Sequence, residues 1–197
     1  MNAPSVEAYL GLGSNQGDRL AELRRAVTAL AGVPGVAVVA VSDVWETEHV
    51  GDPGDQQDPY LNACVGIRTG LEPEELLRAL KALEAAAGRP AGGHRRPRPL
   101  DLDILLFGDR VLAGERLRVP HPELARRAFV LEPLAQIAAG VRCPDSGETI
   151  AEARAKIRRK GGPWVRPYGG GGLRDAGPGS EQGGPGCCPG ATSSSKA

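Results

Sequence analysis

The 197-residue chain lacks an excess of either charge, with 24 lysines and arginines against 24 aspartates and glutamates. Without a global basic field, general affinity for nucleic acid or an anionic membrane is not expected, and any anion site must be local. Aromatic residues are scarce: 2 Phe, 2 Trp and 3 Tyr do not make a base-stacking platform. The four cysteines, Cys64, Cys143, Cys187 and Cys188, have no metal-ligand spacing, so reduced thiols are expected. No apolar run approaches the roughly 18 residues of a membrane helix, and no basic stretch precedes an apolar one near Met1. Neither a span nor a signal peptide is expected, and the chain is placed in the cytoplasm.

Glycine is plentiful but unevenly placed, with 12 of the 28 in residues 161–197 together with 5 prolines. Only Trp164, Val165, Tyr168 and Leu173 there can anchor a core, too little apolar surface to offset the entropy of ordering the segment. One compact domain over 1–160 and a Gly/Pro/Ser-rich disordered tail over 161–197 are expected.

Within the domain, hydrophobic period gives the element order. An apolar strand runs from about Glu7 to Gly13, and Asp18 caps a helix over 19–31 whose Leu20, Leu23, Val27 and Leu30 share a face. A β-branched run from Val36 to about Trp45 and a second strand from Tyr60 to Thr69 follow. Pro73 opens another amphipathic helix over 73–87 that stops at Gly88. Leu100 to Phe107 reads as a strand with a hairpin turn at Gly108 and Asp109, and Leu124 to Ala128 and Val130 to Ala138 read as two short helices around Pro133. The order β-α-β-β-α-β is that of a ferredoxin-like α+β fold: an antiparallel sheet with helices packed on it, plus short C-terminal helices.

Strand alternation puts Asp101 and Asp103 on one face of their strand and Leu102 and Ile104 on the other. Paired carboxylates suit a hard cation such as Mg²⁺ that also binds phosphates; two acids on a solvated strand face are the plainer alternative. Arg89, His94, Arg95, Arg96 and Arg98 crowd a Gly/Pro-rich loop beside them, a polyanion-binding set or a solubilising loop. Between two prolines, His121 has Arg116, Arg118, Arg126 and Arg127 nearby, a second cationic wall if the histidine is not simply structural. Tyr60 and Asn62 share a strand face, an aromatic plane beside an amide that suits a flat heterocycle as well as an ordinary strand. The turn Gly11-Leu12-Gly13-Ser14-Asn15 lacks P-loop spacing and its lysine, which excludes a P-loop and leaves a glycine turn that lets a ligand approach the backbone.

Five stretches in this order, GLGSNQGDR at 11–19, DPYLNACV at 58–65, LEAAAGR at 83–89, RPRPLDLDILLFGD at 96–109 and VPHPELARRAFVLEPL at 119–134, resemble the 6-hydroxymethyl-7,8-dihydropterin pyrophosphokinase family across about residues 7–147. The resemblance implies transfer of the pyrophosphoryl group of ATP to the pterin hydroxymethyl oxygen, with two Mg²⁺ ions, in folate biosynthesis. It implies Asp101 and Asp103 as metal ligands and, with Arg89 and Arg98, as the catalytic set. Thr47, Glu48, His49, Val50, Tyr60, Asn62 and Phe129 are implied for the pterin, and Glu84, Arg89, Arg98, Ile104, Arg116, His121 and Arg127 for ATP. Small-molecule substrates are the expected partners of a monomer, with no nucleic acid and no membrane. A ferredoxin-like binding module shares the element order without the paired acids and arginine loop.

Overall fold

In a computed structural model, residues 5–48, 57–88 and 98–173 are described. Strand β1 (Val6–Ser14) leads to helix α1 (Arg19–Ala31), capped by Asp18, whose carboxylate accepts from Ala21 N at 3.1 Å. Strands β2 (Val36–Val41), β3 (Trp45–Thr47) and β4 (Tyr60–Thr69) precede helix α2 (Pro73–Ala86), which opens with Pro73 and a Glu72–Glu75 capping box. Gly88, at φ +87°, ends that helix in a conformation a side chain disfavours. Strand β5 (Asp101–Phe107) is followed by two short strands, β6 (Leu112–Ala113) and β7 (Arg118–Val119), then helices α3 (Ala128–Ala138) and α4 (Ile150–Lys160) and strand β8 (Val165–Pro167).

The sheet is antiparallel in the order β5-β1-β4-β3-β8, with β2 also paired to β4. This is the ferredoxin-like arrangement expected from the element order. One face packs Leu10, Leu12, Ile67, Leu102 and Ile104 against Leu23 and Leu30 of α1 and Leu76 and Leu80 of α2. Each fully buried leucine contributes about 1.5–3 kcal/mol. The opposite face packs Tyr9, Cys64, Leu105 and Leu106 against Leu131 and Leu134 of α3 and Ile150 and Ala153 of α4. A shift in the β1–β5 register between Tyr9 and Leu10 sends the consecutive Leu105 and Leu106 to the same face.

Several sequence expectations are corrected. The single run from Val36 to Trp45 is two strands on one partner: β2 pairs with the far half of β4 and β3 with its near half. The break falls at Ser42, whose hydroxyl accepts from Cys64 N and whose N–H bonds Cys64 O, so a polar side chain substitutes for a ladder partner. The strand after Gly108 does not return along β5; β6 pairs with β7 instead. The helix expected over Val130–Ala138 starts two residues earlier, at Ala128, and runs through Pro133, while the one expected over Leu124–Ala128 is only a short 3₁₀ turn at Leu124–Arg126. Helix α4 was not read from the sequence, although Thr149 and Glu152 form a capping box at its start.

The expectation that order ends at residue 160 is also corrected for residues 161–173. Strand β8 adds to β3, Tyr168 N donates to Val44 O at 2.9 Å, and Leu173 is only 3% exposed inside the core under α1. Arg24 of α1 donates twice to Gly172 O, at 3.1 and 3.0 Å. Composition misled because backbone pairing and one leucine suffice where a sheet edge is available; residues 174–197 lie outside the described part. Ending the chain after residue 161 should therefore lower stability by about 2 kcal/mol or more, the burial of Leu173 alone. Urea denaturation checks this, and an unchanged midpoint would show the segment to be idle.

Candidate functional site

A cavity of about 470 Å³ opens on the sheet face that α3 and α4 cover only in part. Its floor follows from strand register. Gly13 of β1 pairs with Asp101 of β5 on one side and Asn62 of β4 on the other, while Gly11 pairs with Asp103 and Cys64. Asp101 and Asn62 thus stand two strand spacings apart, roughly 10 Å, with glycine between. A Cβ at Gly13 would meet Asn62 Oδ1 at 3.3 Å, Asp101 Cβ at 3.8 Å and Tyr60 at 3.9 Å. The glycines keep this floor open to a ligand.

One end of the cavity is suited to a flat heterocycle. Asn62 Nδ2 donates to Thr47 Oγ1 at 2.8 Å, which fixes the amide plane, and Tyr60 and Phe129 stand nearby in the cavity wall. The Arg127 guanidinium lies 5.5 Å from the Phe129 ring centroid. Cys64 lines the same wall, but its thiol donates to Val130 O and burial pushes its pKa far up, so it is no nucleophile at neutral pH.

The other end is charged. Arg98 Nη1 pairs with Asp101 Oδ1 at 2.9 Å, and Arg98 Nε is buried without a partner among the described residues. Burial opposes the Arg98 charge, but Asp101, Tyr60 and Asp103 outweigh it and raise its pKa. Asp103 is driven upward by burial and then by the Asp101 charge, with His121, Lys81 and Arg98 pulling the other way. Burial lowers the His121 pKa against the pull of Asp103. His121 Nδ1 accepts from Glu123 N at 3.1 Å, so the neutral ring carries its proton on Nε2 and remains a donor. Helix α3 opens onto the cavity with no side-chain cap, Ala128 and Phe129 lining it, a favourable direction for an anion.

The donor set fits Mg²⁺. Two adjacent carboxylates face the cavity, and among the described residues no group of three or more His, Cys, Asp or Glu forms a protein-only cage. A cation held here must complete its shell from water and ligand oxygens, as Mg²⁺ does.

Of the residues singled out in the sequence, Thr47, Glu48, Tyr60, Asn62, Arg98, Asp101, Asp103, His121, Arg127 and Phe129 line this one cavity. His49, Val50, Arg89, His94, Arg95 and Arg96 lie outside the described residues. Glu84, Ile104 and Arg116 are not brought into the cavity. The Glu84 carboxylate is buried at the outer edge of β5, where it accepts from Leu102 N at 2.7 Å and Lys81 Nζ at 2.8 Å, while Lys81 donates to Leu102 O. These two side chains satisfy an edge strand's spare backbone groups. Ile104 is core on the α1/α2 face, and Arg116 is exposed between β6 and β7.

Sequence reading missed the supports. Asn15 Oδ1 accepts from Arg98 N at 2.9 Å and Asn15 N donates to Arg98 O, pinning that arginine to the turn after β1. Arg19 Nη1 donates to Pro59 O and its Nη2 to Glu46, which Arg166 also clamps. Nothing in local spacing joins Arg19, Glu46 and Arg166. The buried Asn15 after a glycine turn was the available signal.

The 7,8-dihydro-6-hydroxymethylpterin-pyrophosphokinase (HPPK) family model matches residues 9–139. The chain belongs to the HPPK family. It is 46% identical over 159 residues to the 2-amino-4-hydroxy-6-hydroxymethyldihydropteridine pyrophosphokinase of Methylorubrum extorquens, covering 79% of this chain and 96% of that protein. With the pyrophosphokinase of Bacillus subtilis it shares 42% identity over 156 residues, 79% and 92% of the two chains. A Plasmodium falciparum HPPK-DHPS solved with pterin and p-hydroxybenzoate matches with a TM-score of 0.64 at 15% identity, a likeness of fold. That match covers 81% of this chain and 44% of the Plasmodium chain, so the present chain spans less than half of it. The HPPK-matched stretch contains every cavity residue except Pro163 and Val165.

Glu46, beneath the heterocycle end, is held below the usual carboxylate range by the hydrogen bond from Arg166, against its burial, and further by Arg19. A depressed folded pKa means its stabilisation is present above the unfolded value of about 4.3 and lost as pH falls through the folded value. Glu46→Gln should therefore be less stable than the parent at pH 7 and converge with it toward low pH. Thermal melts across pH 3–7 check this; a constant gap would exclude the linkage.

Proposed function

We propose that this chain transfers the pyrophosphoryl group of ATP to 6-hydroxymethyl-7,8-dihydropterin, giving AMP and the pterin diphosphate, in folate biosynthesis. The observation that carries it is one cavity holding the fixed Asn62–Thr47 amide beside Tyr60 and Phe129 at one end, and Asp101, Asp103 and Arg98 at the other. In the reaction a bond forms from the hydroxymethyl oxygen to the β-phosphorus as the α,β-bridging bond breaks, and the hydroxyl proton is released.

Asp101 and Asp103 would hold the Mg²⁺, two ions in this reading. Bound Mg²⁺ neutralises triphosphate charge and orients the transferred group. Arg98, with its spare buried Nε–H, and Arg127 donate to phosphate oxygens in bidentate fashion. Neutral His121 adds a donor without repelling those arginines. Asn62, oriented by Thr47, reads the edge of the pterin while Phe129 and Tyr60 flank its plane. Positioning and charge stabilisation are the main requirements of this transfer class, which agrees with a site whose cysteine is inert. Of the residues that the resemblance implies for ATP, Arg98, His121 and Arg127 line the cavity, while Glu84 and Ile104 pack on β5 and Arg116 is exposed. The same reading has a monomer act in the cytoplasm; no described helix is long and apolar enough to cross a membrane.

Incubation with ATP, Mg²⁺ and hydroxymethyldihydropterin should release AMP and no ADP; ADP, or no product from folded protein, would sink the reading. Asp101→Asn and Asp103→Asn should each cut turnover about 100-fold or more with unchanged circular dichroism. Wild-type rates in both would remove the metal assignment. Gly13→Ala should push the Asn62 amide aside and weaken 6-hydroxymethylpterin binding about tenfold; fluorescence titration of that pterin measures it, and unaltered affinity would place the heterocycle elsewhere.

A further inference from the structure

Cavity residues Pro163 and Val165 lie beyond residue 139, where the family match ends, Val165 on β8, which covers the outer edge of β3, and Pro163 two residues before it. The pairing is Thr47 with Val165, Glu46 with Arg166 and Trp45 with Pro167, extended by Glu48 N donating to Trp164 O at 3.3 Å. Strand alternation therefore sends Val165 to the same face as Thr47, the cavity face, and Arg166 to the face of Glu46. Arg166 Nη2 binds Glu46 at 2.6 Å, Tyr168 N binds Val44 O, and Leu173 is buried in the core. With anchors on both β3 and α1, this is a fixed wall and not a loose end. Its neighbour across the ladder, Thr47, is the residue that orients the Asn62 amide.

We infer that this wall is the outer limit of the heterocycle pocket and that Val165, with Pro163, is a specificity-determining contact for the pterin, an inference that rests on the function proposed above. Both side chains are apolar, so they offer no directional bond and select by size. A heterocycle reaching Asn62 passes beside Val165, and a group added to that edge collides with it. On the sheet, Asp101 and Asp103 of β5 are separated from this wall by β1 and β4, and Arg98 reaches only as far as Tyr60 of β4. The wall therefore acts on the pterin and not on ATP.

Val165→Phe and Val165→Ala in the full chain test this, with melting temperature measured on each. Val165→Phe should raise the KM for hydroxymethyldihydropterin about tenfold or more while leaving the KM for ATP within about twofold, and should weaken 6-hydroxymethylpterin binding, read by the pterin's own fluorescence, to the same extent. Val165→Ala should shift kcat/KM about tenfold toward a hydroxymethyldihydropterin methylated on its exocyclic amine, relative to the parent compound. A purely structural role would lower the melting temperature and move both KM values together. Wild-type pterin KM and pterin affinity in both folded variants would overturn the inference while AMP release by the wild type leaves the proposed function standing. If the wild type releases no AMP, the function falls first, and the fluorescence titration still decides whether Val165 bounds a pterin pocket.

Discussion

Two carboxylates two residues apart on one strand repel each other, and the cavity is organised around that repulsion. Asp101 and Asp103 share a face because β5 alternates, and β5 cannot turn over without exposing Leu102 and Ile104, which pack under α1 and α2. Hydrophobic burial on one face therefore forces the acids together on the other. Arg98 answers part of the charge through Asp101, leaving Asp103 raised by burial and by its neighbour. The fold supplies the repulsion, and in the proposed reaction a cation with a polyanion would relieve it.

The cavity exists because the second face of the sheet is incompletely covered. Helices α3 and α4 pack on Tyr9, Cys64, Leu105 and Leu106, toward one end of the strands. Toward the other end the same face presents Gly11, Gly13, Asn62, Asp101 and Asp103. Two glycines on β1 remove the side chains that would otherwise separate the amide from the acids, and the start of α3 turns its uncapped end toward the cavity. Supports from distant parts of the chain then hold the contact residues: Asn15 for Arg98, Thr47 for Asn62, and Arg19 with Arg166 for Glu46.

Period and alternation made the sheet, α1, α2 and the acid pair legible, since each is a local pattern with a core on one side. The helix starts at Asp18 and Pro73 were legible for the same reason. What stayed hidden depends on partners distant in sequence. The break between β2 and β3 is set by Ser42 bonding Cys64, the role of Glu84 by the unpaired edge at Leu102, and the ordering of residues 161–173 by the open edge of β3. Glu84 shows the limit clearly: a family motif singles it out, yet its carboxylate closes a strand edge here. The composition of the last 37 residues argued for disorder because composition cannot count an edge strand waiting for a partner.

That edge also explains why the two ends of the cavity are built so differently. In the proposed function the charged end would accommodate a flexible polyanion and its counter-ion, which suits long side chains, Arg98 and Arg127, beside a fixed acid pair. The heterocycle end has to discriminate a rigid planar body, which demands walls that do not yield. A three-residue strand pinned by an arginine–glutamate pair, a backbone bond and a buried leucine meets that demand, and it does so without adding a polar group that the heterocycle would have to satisfy. Recognition by hydrogen bonds at Asn62 and by shape at Val165 are then complementary parts of one pocket, the first rejecting rings that lack the right edge and the second rejecting those that carry too much on it.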